Sequence, residues 1–123
     1  MMKNVILVGI GGMLGSIARY LAVVYITDRT SSRFPLGTFS VNIVGCLLIG
    51  VIAGLSERFN LLPEYRVFLS AGICAGFTTF SSFAFENVRL LQDKDHLTFV
   101  LYTVSSLVLG IVAIVVGLVL TRA

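Results

Sequence analysis

The chain has 123 residues, of which 57% are hydrophobic and only 12% are charged. Soluble domains typically carry about 25% charged residues, and a short chain exposes much of its surface, so a water-soluble globular protein is excluded. The same composition excludes disorder, and two cysteines are too few for a disulfide-stapled secreted scaffold. A small integral membrane protein of one domain remains.

Four apolar segments are each long enough to cross a hydrocarbon core of about 30 Å as a helix. We expect spans at about residues 4–27, 36–57, 66–90 and 97–121, within one all-α transmembrane domain over residues 1–123. No small-residue cleavage site follows the first segment at a polar boundary, so we expect a retained first helix. The short connections hold nearly all the ionisable groups, which predicts a compact hairpin bundle.

Basic residues are balanced between the two sides of this bundle. The side of the N-terminus holds Lys3, Arg58, Arg66 and Arg122, and the other side holds Arg29, Arg33, Arg89 and Lys94. The positive-inside rule then gives no preferred orientation, as in a dual-topology protein whose copies insert both ways and pair antiparallel. The alternative is that one or two charges near a membrane edge are wrongly counted, so that the balance does not indicate dual topology. The net charge of +3 comes with no basic patch, which argues against nucleic-acid binding.

The first span contains the glycine-rich sequence GIGGMLGSIARY. Gly11 and Gly15 lie four residues apart on one helix face, a spacing that lets helices approach closely in lipid. A dinucleotide site fails because Leu14 stands where a third glycine is required. Arg19 lies in the last third of the span. It either reaches the headgroups or faces protein, where it would attract an anion.

The second and third spans carry polar groups that hydrocarbon would leave unsatisfied. Asn42 either bonds another helix or lines a pore. The third span reads LSAGICAGFTTFSSFAFENV, and its glycines and hydroxyls predict unwinding around residues 75–79. A continuous helix with a small-residue packing face is the alternative. Carbonyls freed by unwinding suit a hard cation such as sodium, and freed N–H groups suit an anion.

Aromatic and hydroxyl side chains follow at helical spacing. Phe80 and Phe83 share one face, where they form ordinary core or present electropositive ring edges to an anion. Tyr102 and Ser106 in the fourth span also face one way. Hydroxyls in membrane helices often bond only their own helix, which is the alternative to pore lining.

The remaining chemical groups support neither a metal centre made of side chains nor an enzyme. Glu86 precedes Arg89 by three residues, which favours an interfacial ion pair over proton coupling. Cys46 and Cys74 lie in separate spans without histidine or acidic neighbours, so metal-ligand spacing is absent. One loop histidine, His96, with boundary carboxylates does not make a nucleophile, base and orienter.

Three motifs, GGMLGSIARY, PLGTFSVNIVG and GICAGFTTFSSF, together resemble the Fluc (CrcB-type) fluoride channels over essentially the whole chain. The resemblance implies an antiparallel dual-topology homodimer in the inner membrane, with two fluoride pores at the subunit interface and a structural sodium ion on the two-fold axis. It also assigns residues to these features. The pore residues are Asn42, Phe80, Phe83, Tyr102, Ser106 and Thr79; the vestibule residues are Arg19 and Glu86; the sodium ligands are the main-chain carbonyls of Ala75 and Thr78.

Two positions depart from the family pattern. Ala75 replaces the first glycine of the family motif G-G-x-T-T, which keeps the carbonyl but disfavours a positive φ. Gly110 stands four residues after Ser106, where a further hydroxyl is expected.

The resemblance implies passive, voltage-driven export of fluoride without catalysis or ATP, in which partial charges replace the ion's water. A small-multidrug-resistance-type proton antiporter is one alternative. Such exporters need a glutamate in the first span, and here that span holds Arg19 and no acid. A structural or assembly subunit, whose polar residues only join helices, is the other alternative.

Overall fold

The computed structural model describes residues 1–122, and every regular element in that range is helical. In chain order the elements are α1 (Met2–Arg29), α2 (Leu36–Phe59), α3 (Pro63–Arg66), a π-helix (Val67–Cys74), α4 (Ala75–Phe77), α5 (Phe80–Gln92) and α6 (His96–Arg122). Four stretches are long and apolar enough to cross a membrane: Met2–Arg29, Leu36–Phe59, Pro63–Gln92 and His96–Arg122. The prediction of an all-α chain with four such stretches is confirmed.

The helix ends follow from local chemistry. Asn60 has φ 51 and ends α2 in the left-handed conformation, which asparagine tolerates better than most residues. Pro63 occupies the first turn of α3, where its missing N–H costs nothing. The side chain of Asp95 accepts a bond of 3.2 Å from the amide of Thr98 at the start of α6. These signals keep the connections between spans short.

Glycines set the separation between the packed helices. The most extensive packing joins α2 and α6. There a Cβ on Gly50 would collide with the carbonyl oxygen of Ile114, and a Cβ on Gly117 would lie 2.6 Å from that of Leu47. Backbones can approach this closely in lipid only where side chains are absent.

A second glycine contact joins α1 to the third span. Gly11 and Gly15 are both buried. A Cβ on Gly11 would lie 2.7 Å from the carbonyl oxygen of Phe68, and one on Gly15 would collide with that of Ile73. The close approach predicted from the spacing of these two glycines is confirmed.

The third span changes backbone conformation along its length. The π-helix packs against α1 and leads into the three residues of α4. Thr78 (φ −94, ψ 159) and Thr79 (φ −150, ψ 122) are then extended, and α5 begins at Phe80. The hydroxyl of Thr79 accepts a bond of 3.1 Å from the amide of Ser82 and so caps α5. The carbonyl of Thr78 and both backbone groups of Thr79 are therefore open to partners from other helices.

Candidate functional site

Asn42 bonds the extended pair from the neighbouring helix. Its Nδ2 donates to the carbonyl oxygen of Thr79 at 3.0 Å, and its Oδ1 accepts from the amide of Thr79 at 2.8 Å. One side-chain amide thus satisfies both backbone groups of Thr79, much as a neighbouring strand would. Nδ2 carries two hydrogens, so one N–H remains for a ligand.

A groove of about 280 Å³ opens beside this contact, and we call it the polar groove. The residues of its lining that carry polar groups or aromatic rings are Asn42, Cys46, Thr78, Thr79, Phe80, Phe83 and Ser106. The rings of Phe80 and Phe83 have centroids 5.9 Å apart, and Phe80 is 79% exposed. The hydroxyl oxygen of Ser106 is buried and has no hydrogen-bond partner within residues 1–122. The groove therefore combines unused donors with aromatic rings.

Tyr102 lies behind the polar groove. It is fully buried, and its ring centroid is 5.0 Å from that of Phe83. Its hydroxyl donates to Oε1 of Glu86 at 2.9 Å, while the hydroxyl of Thr38 donates to Oε2 at 2.8 Å. The structure thus brings together all the residues predicted for the pore except Tyr102, which reaches the groove through Phe83.

The expected ion pair between Glu86 and Arg89 is wrong. Glu86 is bonded by two hydroxyls from other helices, and the guanidinium of Arg89 lies over the ring of Phe85 at 5.7 Å instead. The ion pairs in the described part of the chain are Lys3–Glu64, Arg33–Asp95 and Glu57–Arg122. In each pair, the two residues come from different segments that meet at the same end of the bundle. The charges near the helix ends therefore partly neutralise one another.

Arg19 faces protein rather than reaching out to the headgroups. Its Nε donates to the carbonyl oxygen of Gly76 at 3.0 Å. The residue also lines a cavity of about 620 Å³, the Arg19 cavity, whose polar lining includes Thr38, Thr79, Ser81, Ser82 and Glu86. Thr79 lines both this cavity and the polar groove. The two predicted vestibule residues, Arg19 and Glu86, therefore share one cavity, and Thr79 lies between it and the groove.

The carbonyl oxygens of Ala75 and Thr78 accept no hydrogen bond from the described part of the chain. Ala75 has φ −66 and ψ −35, so alanine at the motif glycine brings no backbone strain. The amide and the hydroxyl of Thr78 both donate to the carbonyl of Cys74, each at 3.0 Å. Within residues 1–122, no amide or side chain donates to the carbonyl oxygen of Ala75 or of Thr78. Bare carbonyl oxygens of this kind suit a hard cation, and no cluster of metal-binding side chains occurs among the described residues.

Sequence reasoning missed three residues that shape this site. Gly76 accepts the bond from Arg19, and Gly45 makes room for the methyl group of Thr78, with which a Cβ would collide. Thr38 binds Glu86. Only Thr38 left a signal, since it lies four residues before Asn42 and therefore on the same helix face.

Four helical stretches long and apolar enough to cross a membrane, three of which line a polar groove, define a multi-pass membrane protein. Residues 6–118 match the family described as CrcB-like protein, Camphor Resistance (CrcB). The chain belongs to this family.

Relatives of similar length carry the name "Fluoride-specific ion channel FluC". One from Azobacteroides pseudotrichonymphae is 43% identical over 99% of this chain and 98% of its own length. One from Bacteroides fragilis is 45% identical over 94% of each chain. One from Chlorobium phaeobacteroides is 48% identical over 95% of this chain and 93% of its own. The likeness therefore extends over nearly the full length of both chains.

Proposed function

We propose that this chain forms a fluoride-selective passive ion channel that exports cytoplasmic fluoride and so relieves fluoride toxicity. The observation that carries the proposal is the polar groove, where Asn42 and the unpartnered hydroxyl of Ser106 lie beside the rings of Phe80 and Phe83. The family and the name of its full-length relatives support it.

Fluoride is small and strongly hydrated, so a pore must replace its water without trapping the ion. Amide and hydroxyl donors with electropositive ring edges do this with partial charges. The Arg19 cavity precedes the polar groove on this route, and the positive charge of Arg19 attracts the anion into it. Thr79 is shared by both spaces, so the proposed route runs from the cavity past Thr79 into the groove. No covalent step occurs.

Membrane voltage drives the flow. Hydrogen fluoride crosses membranes as a neutral acid and dissociates at cytoplasmic pH, which leaves the anion inside. Moving one charge through 100 mV releases about 2.3 kcal/mol, enough for export without ATP. The antiporter alternative has no support from the first span, which carries Arg19 and no acid between Val5 and Thr27. An assembly subunit would have no use for the buried hydroxyl of Ser106, which has no hydrogen-bond partner among residues 1–122.

We infer that two copies pair antiparallel in the inner membrane with the third span broken near mid-membrane. The balanced basic residues support dual topology. The open side of the polar groove supports a covering copy, because Phe80 is 79% exposed and the polar groups of Asn42 and Thr79 would otherwise meet hydrocarbon. The extended pair Thr78 and Thr79 supports the break.

We also propose a structural sodium ion held by the carbonyls of Ala75 and Thr78. Neither oxygen accepts a hydrogen bond from residues 1–122, and Ala75 is exposed in a single copy, so a second copy could contact it. When bound, sodium would supply a fixed positive charge that offsets the bare carbonyl dipoles. Alanine at position 75 is compatible with such a site, because its φ of −66 is one that any residue adopts.

Growth in fluoride tests the cellular role. A bacterium lacking its own fluoride exporter should grow again in millimolar fluoride when it produces this chain. It should stay sensitive when it produces the Asn42→Asp variant at an equal level in the membrane. Failure of the wild-type chain to restore growth, despite folded protein in the membrane, would overturn the proposed role.

A further inference from the structure

The end of α4 leaves carbonyl oxygens that need hydrogen-bond donors from elsewhere in the chain. Helix ends leave their last carbonyls without intrahelical donors, and an unsatisfied carbonyl in hydrocarbon is costly. Thr78 satisfies the carbonyl of Cys74 from within the segment. The carbonyl of Gly76 is instead bonded from α1, by Nε of Arg19 at 3.0 Å.

The path of α1 explains how Arg19 reaches this carbonyl. A Cβ on Gly76 would lie 2.6 Å from the carbonyl oxygen of Gly12, so the backbones of α1 and α4 are in contact. Gly15 and Arg19 lie four residues apart and therefore share one face of α1. The missing side chains of Gly15 and Gly76 let the two backbones approach, and Arg19 extends from that face of α1 to the carbonyl of Gly76.

We propose that Arg19 is a positioning residue: it caps the C-terminal end of α4 from another helix and so fixes the orientation of the neighbouring carbonyls of Ala75 and Thr78. A positive charge at a helix C-terminus is favourable, and a hydrogen bond from an ionised donor is stronger than a neutral one. Gly76 lies directly after Ala75, so rotation of its peptide group turns the backbone on both sides. The proposal deepens the proposed function and rests on it only for the sodium ion that these carbonyls would hold.

This role differs from attraction of an anion by the charge of Arg19. Along the side chain, Nε of arginine stands where lysine has Cε and where glutamine has Nε2. Arg19→Lys therefore keeps the charge but places no donor at the Gly76 carbonyl without rearrangement. Arg19→Gln keeps a donor at that place and removes the charge. The two variants separate positioning from electrostatic attraction.

A single NMR signal reports on the contact. Gly76–Phe77 is the only Gly–Phe sequence in the chain, so protein made with ¹³C-carbonyl glycine and ¹⁵N-phenylalanine gives one carbonyl–amide correlation. We expect Arg19→Lys to move this signal and Arg19→Gln to leave it near the wild-type position. Arg29→Lys is the matched control, because Arg29 lies in α1 but donates to its own helix at Tyr25. An unmoved signal in Arg19→Lys overturns the proposal, as does a signal that moves only in Arg19→Gln.

Protection against heat by sodium is the second readout. We expect Arg19→Lys to need about tenfold more sodium than wild type for half-maximal protection, the effect of losing one hydrogen bond from a charged group. Arg19→Gln keeps the donor but loses the charge, so its sodium requirement should lie between those of wild type and Arg19→Lys. Equal sodium requirements for wild type and Arg19→Lys contradict the proposal.

If wild type gains no protection, the sodium site of the proposed function fails, while the NMR signal still decides the role of Arg19. If Arg19→Lys does not fold, Arg19→Gln decides: a wild-type signal supports positioning, and a displaced one overturns it.

Discussion

Asn42 in α2 bonds both backbone polar groups of Thr79 in the third span, with Oδ1 2.8 Å from the amide nitrogen and Nδ2 3.0 Å from the carbonyl oxygen. The side chain thereby combines the two roles that its sequence position left open. It joins two helices, and it lines the polar groove with a remaining N–H. The conformation of the extended pair and the chemistry of the groove consequently depend on the same residue.

Asn42→Asp should lower fluoride efflux from liposomes by at least about tenfold. A carboxylate still accepts from the amide of Thr79 but cannot donate to its carbonyl, and it places a negative charge in the groove. A fluoride electrode measures the initial rate. Asn60→Asp, at the exposed end of α2, is the matched control and should conduct as wild type. Equal efflux from Asn42→Asp and wild type would mean that Asn42 serves neither role in conduction.

Ser106→Ala should slow fluoride efflux several-fold without loss of thermal stability. Its hydroxyl is buried in the groove with no partner within residues 1–122, so removing it costs the folded chain no bond. Ser105→Ala is the control, because the hydroxyl of Ser105 donates to the carbonyl of Leu101 in its own helix. The two variants should differ in efflux rate and agree in melting temperature. Equal efflux rates would remove Ser106 from the proposed pathway.

Gly15→Ala should destabilise the protein in detergent, by about 1–3 kcal/mol or more, because its Cβ would collide with the backbone of Ile73. Gly9→Ala, on the same helix, has nothing within 4 Å of its Cβ and should be neutral or slightly stabilising. Thermal unfolding followed by circular dichroism compares the two. If Gly15→Ala and Gly9→Ala have the same melting temperature, the close contact between α1 and the third span is wrong.

Asp95 should contribute stability that depends on pH. Hydrogen bonding by Thr98, and to a lesser degree the guanidinium of Arg33, lowers the pKa of Asp95 in the folded state. A lowered folded pKa gives stability that is present above the unfolded value of about 3.9 and is lost as pH falls through the folded value. Asp95→Asn still caps α6 but does not titrate. Wild type should therefore melt above this variant at neutral pH and approach it between about pH 5 and pH 2. A difference that does not change with pH would contradict the prediction.

Features set by local spacing could be predicted from the sequence. The hydropathy pattern predicted the four spans. The four-residue spacing of Gly11 and Gly15 predicted their close contact with another helix. The conformation of the third span could be predicted only in part. Its glycines and hydroxyls indicated a weakened helix but not the π-helix of Val67–Cys74.

Contacts between distant segments could not be predicted in the same way. Spacing along one helix favoured Arg89 as the partner of Glu86, yet the partners are Thr38 and Tyr102, 48 and 16 residues away. The bond from Arg19 to Gly76 crosses 57 residues. Such pairings depend on how the spans pack, which periodicity within one span does not encode.

Ion efflux from liposomes tests the central claim most directly. Liposomes containing the purified protein are loaded with potassium fluoride or potassium chloride, and valinomycin then lets potassium leave. A fluoride-selective electrogenic channel releases fluoride rapidly, only after valinomycin is added, and retains chloride. Release of both anions at similar rates, or of neither from a folded dimer, would contradict the account.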